Sequence, residues 1–397
     1  MSLSGRYLLR LLLGVAVVLC LAGGLFASEP SLSSSARITL VTVDGGGPLY
    51  TAFGHSAIRV EDKENGMDLV FNYGTFDFDE PGFYTNFMQG RMTYYLALSY
   101  YSRFLYWNTE DKRQVSEQEL QLTAGQRQRL FDFLVWNVQK ENRDYQYNFF
   151  FDNCATRIRD VAEKILGDTL QFVDVPQTAT FRDRLHACLT HHPWSELGID
   201  IILGMPCDKV ASSREIMFLP GCLSEAFAGA KLAGKPLCAP PVELNDVSAK
   251  TSRPRKVTYP TLCMWLLLLL AIPVSRSDTW RPTLDRTLFS LAGLIGLLVA
   301  YMWFFSAHAA AHQNLNILWA LPTHVVMVYF LPVHGAVTWE KWYFRLTAVI
   351  CLLLVLCRWW IPQDLHPAVI PLSLLLAFRA LDYSGWTIPL LSRMRRS

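Results

Sequence analysis

The sequence of 397 residues predicts an α+β domain followed by a bundle of about five transmembrane helices. Within residues 28–246, segments with strand-like alternation come first and segments with helical spacing come later, which is typical of an α+β domain. Beyond residue 257, five apolar stretches are each roughly long enough to cross a bilayer. The formal net charge of +2 gives no reason to expect a nucleic-acid partner.

Residues 1–27 have the pattern of a signal peptide or a signal-anchor helix. Arg6 and Arg10 precede about 17 uncharged, mostly apolar residues. The segment ends in Leu-Phe-Ala at 25–27, which is a poor small-x-small cleavage site, so a retained anchor is favoured. Either interpretation places residues 28–246 outside the cytoplasm.

The first half of the exported domain has the alternation of β-strands. Residues 37–43 (RITLVTV) alternate and end in a glycine-rich turn. Residues 55–60 and 69–73 flank a turn-prone segment and predict a β-hairpin. The aromatic and leucine-rich stretch 94–107 predicts another strand or strand pair.

Two helices follow. Thr123 opens a capping-box pattern, and helical spacing continues to about Lys140. Asp152 or Asn153 can cap a second helix, which Gly167 would end. The predicted buried stripe of this second helix consists of Ile158, Val161, Ile165 and Leu166.

A polar linker at 247–257 leads to a predicted transmembrane region at 258–392 and a basic tail at 393–397. The apolar stretches lie near 259–274, 287–306, 314–332, 345–361 and 367–381. Alternate loops carry the basic residues Arg276, Arg281, Arg286, Lys341, Arg345, Arg393, Arg395 and Arg396, whereas the loops 307–313 and 361–367 carry no Lys or Arg. This asymmetry predicts that the basic loops are cytoplasmic and that the domain lies on the opposite side.

Cys154 is the candidate nucleophile because it would lie in the first turn of the second helix. Unpaired N–H groups and the helix dipole favour a thiolate there, but by only about 0.3–1 kcal/mol. A base is therefore required, and His55 at the head of a strand, after Gly54, is the best candidate. If the hairpin turns near 65–66, the returning strand brings Asn72, Tyr73 or Gly74 beside His55. Of these, Asn72 has the side chain suited to orient an imidazole.

Simpler interpretations stay open for each of these residues. Cys154 could be a buried apolar residue, His55 a structural strand histidine, and Asn153 only a helix cap. The exported part holds five cysteines, so one thiol stays free whether or not the other four form disulfides. Neither an HExxH pattern nor paired CxxC spacing occurs, so neither a metal nor another cofactor is expected.

The sequence contains several long motifs, namely FGHSAIRV, LVFNYGTFDF, YNFFFDNCATRIRD, TFRDRL, DIILGMPCDK, MFLP and HQNLNILWALP. These motifs resemble those of the Lnb family of bacterial lipoprotein N-acyltransferases, and the resemblance extends from about residue 37 to 381. The domain at 28–246 also resembles circularly permuted papain-like folds, which include NlpC-type peptidases and lecithin:retinol acyltransferase-like enzymes. The His strand and the Asn-Cys helix start carry this second resemblance, and Asn72 matches a position where the latter enzymes hold a histidine.

The resemblance implies a periplasmic catalytic domain attached to the bacterial inner membrane. It implies that Cys154 attacks a phospholipid ester while His55 takes its proton, and that the acyl chain then passes to the N-terminal amine of a diacylated lipoprotein. The phospholipid, the lipoprotein and the surrounding lipid would be its partners. Candidate substrate-binding residues are Asn153, Arg157, Tyr73, His312, Asn314 and Asn316. Arg157 and Arg159 could pair with Asp160 or Glu163, or Arg157 could instead face a lipid phosphate. The last three candidates could contact a lipid headgroup or the lipobox cysteine region, or merely begin a helix at the interface.

Two other functions remain as alternatives. A periplasmic cysteine peptidase or amidase would use the same Cys-His pair on cell-wall peptide, although the multi-span tail and the absence of wall-binding repeats argue against it. A non-catalytic membrane scaffold would hold Cys154 as a core residue.

Overall fold

The computed structural model of the chain describes residues 31–245, 247, 259–330 and 338–386. The predicted signal segment at 1–27, nearly all of the linker at 247–257 and the basic tail at 393–397 lie outside these residues. The described part is a mixed sheet and helix domain followed by a mainly helical region.

An antiparallel sheet of seven strands organises the N-terminal domain, in the order β10-β5-β1-β2-β3-β4-β6. Its strands are β1 (Arg37–Val43), β2 (His55–Asp62), β3 (Met67–Thr75), β4 (Thr93–Tyr100), β5 (Val115–Glu119), β6 (Asp144–Gln146) and β10 (Val242–Glu243). A small second sheet contains β7 (Leu170–Gln171), β8 (Lys231–Leu232) and β9 (Lys235–Pro236). The predicted hairpin is present as β2 and β3, with Gly66 at φ +63° in its turn.

Seven helices lie in this domain among the described residues. They are α1 (Phe83–Gln89), α2 (Tyr101–Glu110), α3 (Ala124–Asn137), α4 (Cys154–Leu166), α5 (Phe181–Leu189), α6 (Pro193–Ile202) and α7 (Pro220–Gly229). The capping box at Thr123 opens α3 as predicted, and α3 ends three residues before the predicted Lys140. The stretch 94–107 is not a strand pair, because its second half forms α2, which buries Tyr101 and Phe104 at helical spacing.

Both faces of the large sheet are covered. Helix α4 packs its apolar stripe, including Ile158, Val161 and Leu166, into a core with Ile58 and Phe71. Helix α2 closes the other face with a second cluster, made of Val41, Val43, Ala57, Val70, Tyr101, Phe104 and Val115. Alternate residues of the central strands therefore serve two different cores, which is why these strands are apolar on both sides.

The membrane region contains α8 (Tyr259–Val274), α9 (Arg281–Phe304), α10 (His324–Met327), α11 (Thr338–Leu356) and α12 (Val369–Tyr383). By length and apolar composition, α9 qualifies as a membrane span within the described ranges, and α8 is a shorter apolar helix. The predicted third span at 314–332 is wrong as one helix. Its described residues form turns of 3-10 helix at Leu315–Leu318 and Val328–Phe330 around the short α10.

Close packing against α9 explains this irregular segment. A Cβ at Gly296 would lie 1.9 Å from the carbonyl oxygen of Ala320, and a Cβ at Gly293 would lie 2.6 Å from the backbone nitrogen of Val325. The backbone of the segment therefore lies directly on α9. Non-helical backbone is tolerated at membrane depth where protein covers it.

A buried ion pair accommodates the charge that interrupts the last predicted span. Arg379 of α12 is fully buried, and its Nε and Nη2 lie 2.7 and 3.1 Å from the carboxylate oxygens of Asp285 on α9. Asp382 contributes a further contact at 3.0 Å. The pair joins two helices that are distant in the chain, so the arginine is a packing element of the bundle.

We expect Asp285→Ala to lower the free energy of unfolding by about 3 kcal/mol, the lower end of what breaking a buried ion pair costs, because Asp382 remains. The measurement is the thermal unfolding midpoint of the full chain in detergent. Asp278→Ala is the matched control, since the Asp278 carboxylate is exposed and its contact with Arg281 contributes little. Equal midpoints for the two variants would show that the Asp285 pair adds nothing to the bundle.

Candidate active site

The hairpin brings His55 and Asn72 together. The ladder of β2 and β3 ends at the pair Ile58 and Phe71, and His55 and Asn72 lie just beyond it at the open end of the hairpin. The Nε2–H of His55 donates a hydrogen bond to Oδ1 of Asn72. This bond leaves Nδ1 of the ring free to exchange a proton with a neighbouring group.

Cys154 is the first residue of α4, and the capping of that helix determines its position. The Asn153 side chain accepts hydrogen bonds from the backbone of Ala155 and Thr156, both at 2.9 Å. Its amide nitrogen donates to the carbonyl oxygens of Phe149 and Phe218, both at 2.8 Å. Asn153 is 4% exposed. All its polar atoms are thus engaged within the protein, and it holds the helix start instead of contacting a substrate.

Three residues of the site lie close together around Gly74. A Cβ at Gly74 would lie 3.4 Å from Cβ of Cys154, 3.9 Å from Cε1 of His55 and 3.9 Å from the hydroxyl oxygen of Tyr145. Gly74 also has φ +88°, a conformation that side chains rarely adopt. The glycine therefore lets the nucleophile helix, the histidine strand and Tyr145 of β6 converge.

The two candidate catalytic groups perturb each other's ionisation. Burial acts to raise the pKa of Cys154, but the His55 charge and hydrogen bonds from His55 and from the backbone of Ser56 and Ala155 outweigh it, so the net pKa is lowered. Burial acts to lower the pKa of His55, but the Cys154 charge and hydrogen bonds with Cys154 and Asn72 raise it overall. A thiolate beside an imidazolium is the state that this arrangement favours.

The other cysteines of the domain differ from Cys154 in this respect. Burial raises the pKa of Cys188 to about 11, and those of Cys207 and Cys238 to about 12. Burial also raises the pKa of Cys222. All five thiols are free in the described structure, so none of the possible disulfides is present there. Cys154 is the thiol of this domain suited to act as a nucleophile near neutral pH.

Tyr145 was missed by the sequence analysis. It is 7% exposed, and its hydroxyl donates to no acceptor among the described residues. Burial and then the Cys154 charge raise its pKa, so the phenol stays protonated. The residue lies on a three-residue strand that no strong pattern marks, so only the fold places its hydroxyl beside Gly74.

Arg157 and Tyr73 have partners within the protein. Arg157 pairs with the Asp152 carboxylate, through Nη2 at 2.7 Å and through Nε, and its guanidinium stacks over the Tyr145 ring at 4.1 Å. The expected pairing with Asp160 or Glu163 is therefore wrong for Arg157 but confirmed for Arg159, whose Nε lies 2.8 Å from Oδ1 of Asp160. Tyr73 is fully buried in the core and donates to Oδ1 of Asn137 at 2.5 Å. The buried position of Tyr73 does not fit a substrate contact.

Asn314 and Asn316 join the membrane region to the domain. Both are buried, and their amide nitrogens donate to the carbonyl oxygens of Asp200, Ile201 and Ile202 at the end of α6. These side chains satisfy helix-end carbonyls that would otherwise lack partners. The predicted headgroup contact is therefore wrong for these two asparagines, which are structural. They do not begin a transmembrane helix either.

His312 lies in the same junction. Its carbonyl oxygen would be 1.9 Å from a Cβ at Gly204, so the two backbones are in direct contact. Its ring Nε2 lies 3.3 Å from the carbonyl oxygen of Ser306. On the other short loop, Gln363 donates to the carbonyl of Leu203 at 2.9 Å. Both loops without Lys or Arg thus contact the N-terminal domain.

One group of metal-ligand type occurs among the described residues. Potential ligand atoms of His186, Glu196 and Asp200 lie within 4.8 Å of one another. The Asp200 carboxylate is already 2.8 Å from the Arg182 guanidinium and 2.9 Å from Nε2 of His186. Because a fixed cation occupies the carboxylate, the group is better described as an ion-pair network than as a metal centre.

In the reaction that the family resemblance implies, Asn72→Ala should slow thioester formation by about tenfold, because an orienting group contributes less than the nucleophile or base. Loss of its hydrogen bond removes one contribution that raises the His55 pKa, so the alkaline limb of the pH–rate profile should move to lower pH. The measurement is the pH dependence of Cys154 acylation in the full chain. An unchanged profile would mean that Asn72 does not orient the imidazole.

The fold and the site define a class: a membrane-attached protein whose sheet domain carries a cysteine-histidine pair. Two family models match the chain, the Lnb N-terminal periplasmic domain over residues 31–186 and the Lnb transmembrane domain over residues 252–387. Together they cover more than half of the sequence, and the chain belongs to the Lnb family. It is a membrane protein with a periplasmic portion. Searches of curated proteins and of solved structures found no match.

Proposed function

We propose that this protein transfers an acyl chain from a phospholipid, through a thioester on Cys154, to the N-terminal amine of a diacylglyceryl-cysteine lipoprotein. The observation that carries the proposal is the junction of Cys154, His55 and Asn72, with the thiol pKa lowered and the imidazole pKa raised. Membership of the Lnb family supports the substrate class. The enzyme would be a multi-pass protein of the bacterial inner membrane.

In the first step the Cys154 thiolate attacks the ester carbonyl carbon of the phospholipid. The tetrahedral intermediate collapses with cleavage of the carbon–oxygen bond, and the His55 imidazolium gives its proton to the departing glycerol oxygen. The products are an acyl-thioester on Cys154 and a lysophospholipid. Neutral His55, still hydrogen-bonded to Asn72, is then ready to accept a proton.

In the second step the lipoprotein amine attacks the thioester carbonyl. His55 takes the proton released from the nitrogen, the carbon–sulfur bond breaks, and Cys154 leaves as a thiolate. The product is an amide, which is lower in energy than a thioester, so the step runs downhill. A thiol is suited to these two reaction steps, because its thiolate attacks an ester readily and is also a good leaving group.

Both tetrahedral intermediates carry an oxyanion that needs a donor. We assign this role to the Tyr145 hydroxyl, which is buried, protonated and close to the position of Gly74 beside Cys154. We expect Tyr145→Phe to slow thioester formation by roughly 10²–10³-fold, the usual cost of losing one such donor.

The readout for Tyr145→Phe is single-turnover acylation of the full chain by phospholipid. Alkylation of Cys154 by iodoacetamide is the control, because that reaction forms no oxyanion and should be nearly unchanged. A parallel loss of alkylation would mean that Tyr145 instead positions the thiol.

The order of the site residues supports a circularly permuted papain-like fold. The histidine strand precedes the nucleophile helix here, whereas papain has the cysteine first. The membrane region supports the choice of substrates, because a catalyst at the bilayer surface meets lipid and lipoprotein at high effective concentration. The 307–313 loop and Gln363 both contact the N-terminal domain, which supports a position of this domain on one side of the helix bundle.

The test is mass spectrometry of a lipoprotein N-terminal peptide from cells with and without this protein. We expect a triacylated peptide with the protein and a diacylated peptide without it. A diacylated peptide in both samples would overturn the proposal. Cleaved muropeptides from incubation of the purified full chain with cell wall, without change in lipoprotein lipids, would favour the peptidase alternative.

A further inference from the structure

We propose that helix α1 (Phe83–Gln89), with the preceding Phe78, lies in the outer interfacial layer of the membrane and admits the acyl chain of a phospholipid towards Cys154. The occupant of this face is thus an outer-leaflet phospholipid. The route to the thiol rests on the proposed function, whereas the membrane contact of α1 does not.

The α1 face is apolar, and the part of the chain that the structure describes leaves most of it uncovered. Tyr84 is 74% exposed, Phe87 53%, Met88 38% and the nearby Phe78 55%. The ten residues from 81 to 90 (PGFYTNFMQG) carry no charge, and the acidic residues of this segment precede them. Aromatic side chains of this kind are enriched where a protein meets the membrane–water interface. An exposed cluster of them on a membrane protein indicates contact with lipid.

Contacts with the end of α9 give the height of α1 relative to the bilayer. The backbone N–H of Ala307 donates to the carbonyl oxygen of Gln89 at 2.9 Å. The ring Nε2–H of His308 donates to the carbonyl oxygen of Phe87 at 2.7 Å. Gly90, at φ +69°, lets the loop approach, since a Cβ there would lie 3.0 Å from the His308 nitrogen. Helix α1 is therefore attached to the loop that directly follows α9.

The length of α9 then places this loop at the membrane surface. A helix of 24 residues is about 36 Å long, while the hydrocarbon core is about 30 Å thick. Its last residue, Phe304, and the following Phe305 are 62% and 75% exposed, in line with lipid contact. Because α1 is hydrogen-bonded within a few residues of Phe304, its exposed aromatic face lies at the same level.

A row of aromatic rings leads from α1 towards the thiol. Ring centroids are 5.1 Å apart for Phe78 and Phe83, 5.8 Å for Phe83 and Phe76, and 4.8 Å for Phe76 and Tyr94. Tyr94 stacks on Tyr147 at 4.0 Å. Tyr94 of β4 also pairs with Tyr145 of β6, whose hydroxyl lies beside Gly74 and Cys154, so the row ends next to the site. The row is a continuous series of ring contacts from the exposed Phe78 to the site, and we assign the path of the acyl chain to this row.

The experiment that tests the membrane contact is photo-crosslinking of the full chain in native membranes. The photoreactive residue p-benzoylphenylalanine replaces Tyr84 or Phe87, and in control proteins it replaces Tyr106 or Trp107. The controls are similarly exposed residues of α2, on the opposite face of the sheet. We expect phospholipid adducts by mass spectrometry at 84 and 87 only. No adduct at these positions, or equal adducts at the controls, would overturn the proposal.

The experiment that tests the route uses Phe87→Asp, with Trp107→Asp as the matched control. We expect Phe87→Asp to reduce acylation of Cys154 by vesicle phosphatidylglycerol at least tenfold, while iodoacetamide alkylation of Cys154 stays unchanged. Equal acylation in the two variants would overturn the route. A wild-type protein that forms no thioester at all would instead contradict the proposed function, and the crosslinking result would still decide whether α1 contacts lipid.

Discussion

Cys154→Ala is expected to abolish N-acylation, with a loss on the order of 10⁴-fold or more, because no other group can form the thioester. The substitution removes one sulfur atom from a half-buried position at the first turn of α4, and the Asn153 cap does not depend on it. The variant should therefore be produced and inserted like the wild type. The measurement is the acylation state of a lipoprotein N-terminal peptide in cells.

Cys188→Ala is the matched control for this prediction. Cys188 is also half-buried and free, but burial raises its pKa to about 11, so it is poorly suited to be a nucleophile. We expect it to keep nearly full activity. Full activity in a Cys154→Ala or Cys154→Ser protein would instead show that Cys154 is a core residue, and the scaffold alternative would stand.

His55→Ala has the second largest expected effect, a loss of roughly 10²–10⁴-fold in thioester formation, because proton transfer in both steps depends on the imidazole. Removal of His55 also removes the charge that lowers the Cys154 pKa, while the burial that raises it remains. The pKa of the thiol therefore rises in the variant. Less thiolate is then present at neutral pH.

The directions of the two pKa shifts predict how the reaction rate changes with pH. In the wild type, the rate should rise as pH increases through the lowered pKa of Cys154, below the ordinary thiol range. It should fall as pH increases through the raised pKa of His55, above the ordinary imidazole range. In His55→Ala, the alkylation profile of Cys154 with iodoacetamide should move to higher pH. The same profile in both proteins would show that the two groups do not interact.

The sequence predicted the elements of the site because their signals are local. The hairpin of β2 and β3, the cap at Asn153 and the helix from Cys154 to Leu166 each depend on residues within a few positions of one another. Hairpin pairing also predicted that Asn72 would lie beside His55. The meeting of Cys154 with His55 could be proposed only through joint occurrence and family resemblance, since 98 residues separate them in the chain.

Errors arose where distant contacts override local patterns. The apolar stretch 314–332 has the composition of a span, but packing on Gly293 and Gly296 of α9 keeps its described part irregular. Asn314 and Asn316 have the polarity of ligands, but they cap the end of α6. Arg379 places a charge within the predicted span 367–381, and Asp285 on another helix neutralises that charge.

By itself, the sequence determined which residues can do chemistry: a thiol at a helix start, a strand histidine, an amide on the partner strand, and a membrane region beyond them. Only the tertiary structure decided what surrounds that chemistry, namely the Tyr145 hydroxyl beside Gly74, the aromatic row, and the attachment of α1 to the end of α9. The reason is physical. Capping and alternation act over a few residues, whereas close approach, burial and pKa depend on groups that are near in space but far apart in the chain.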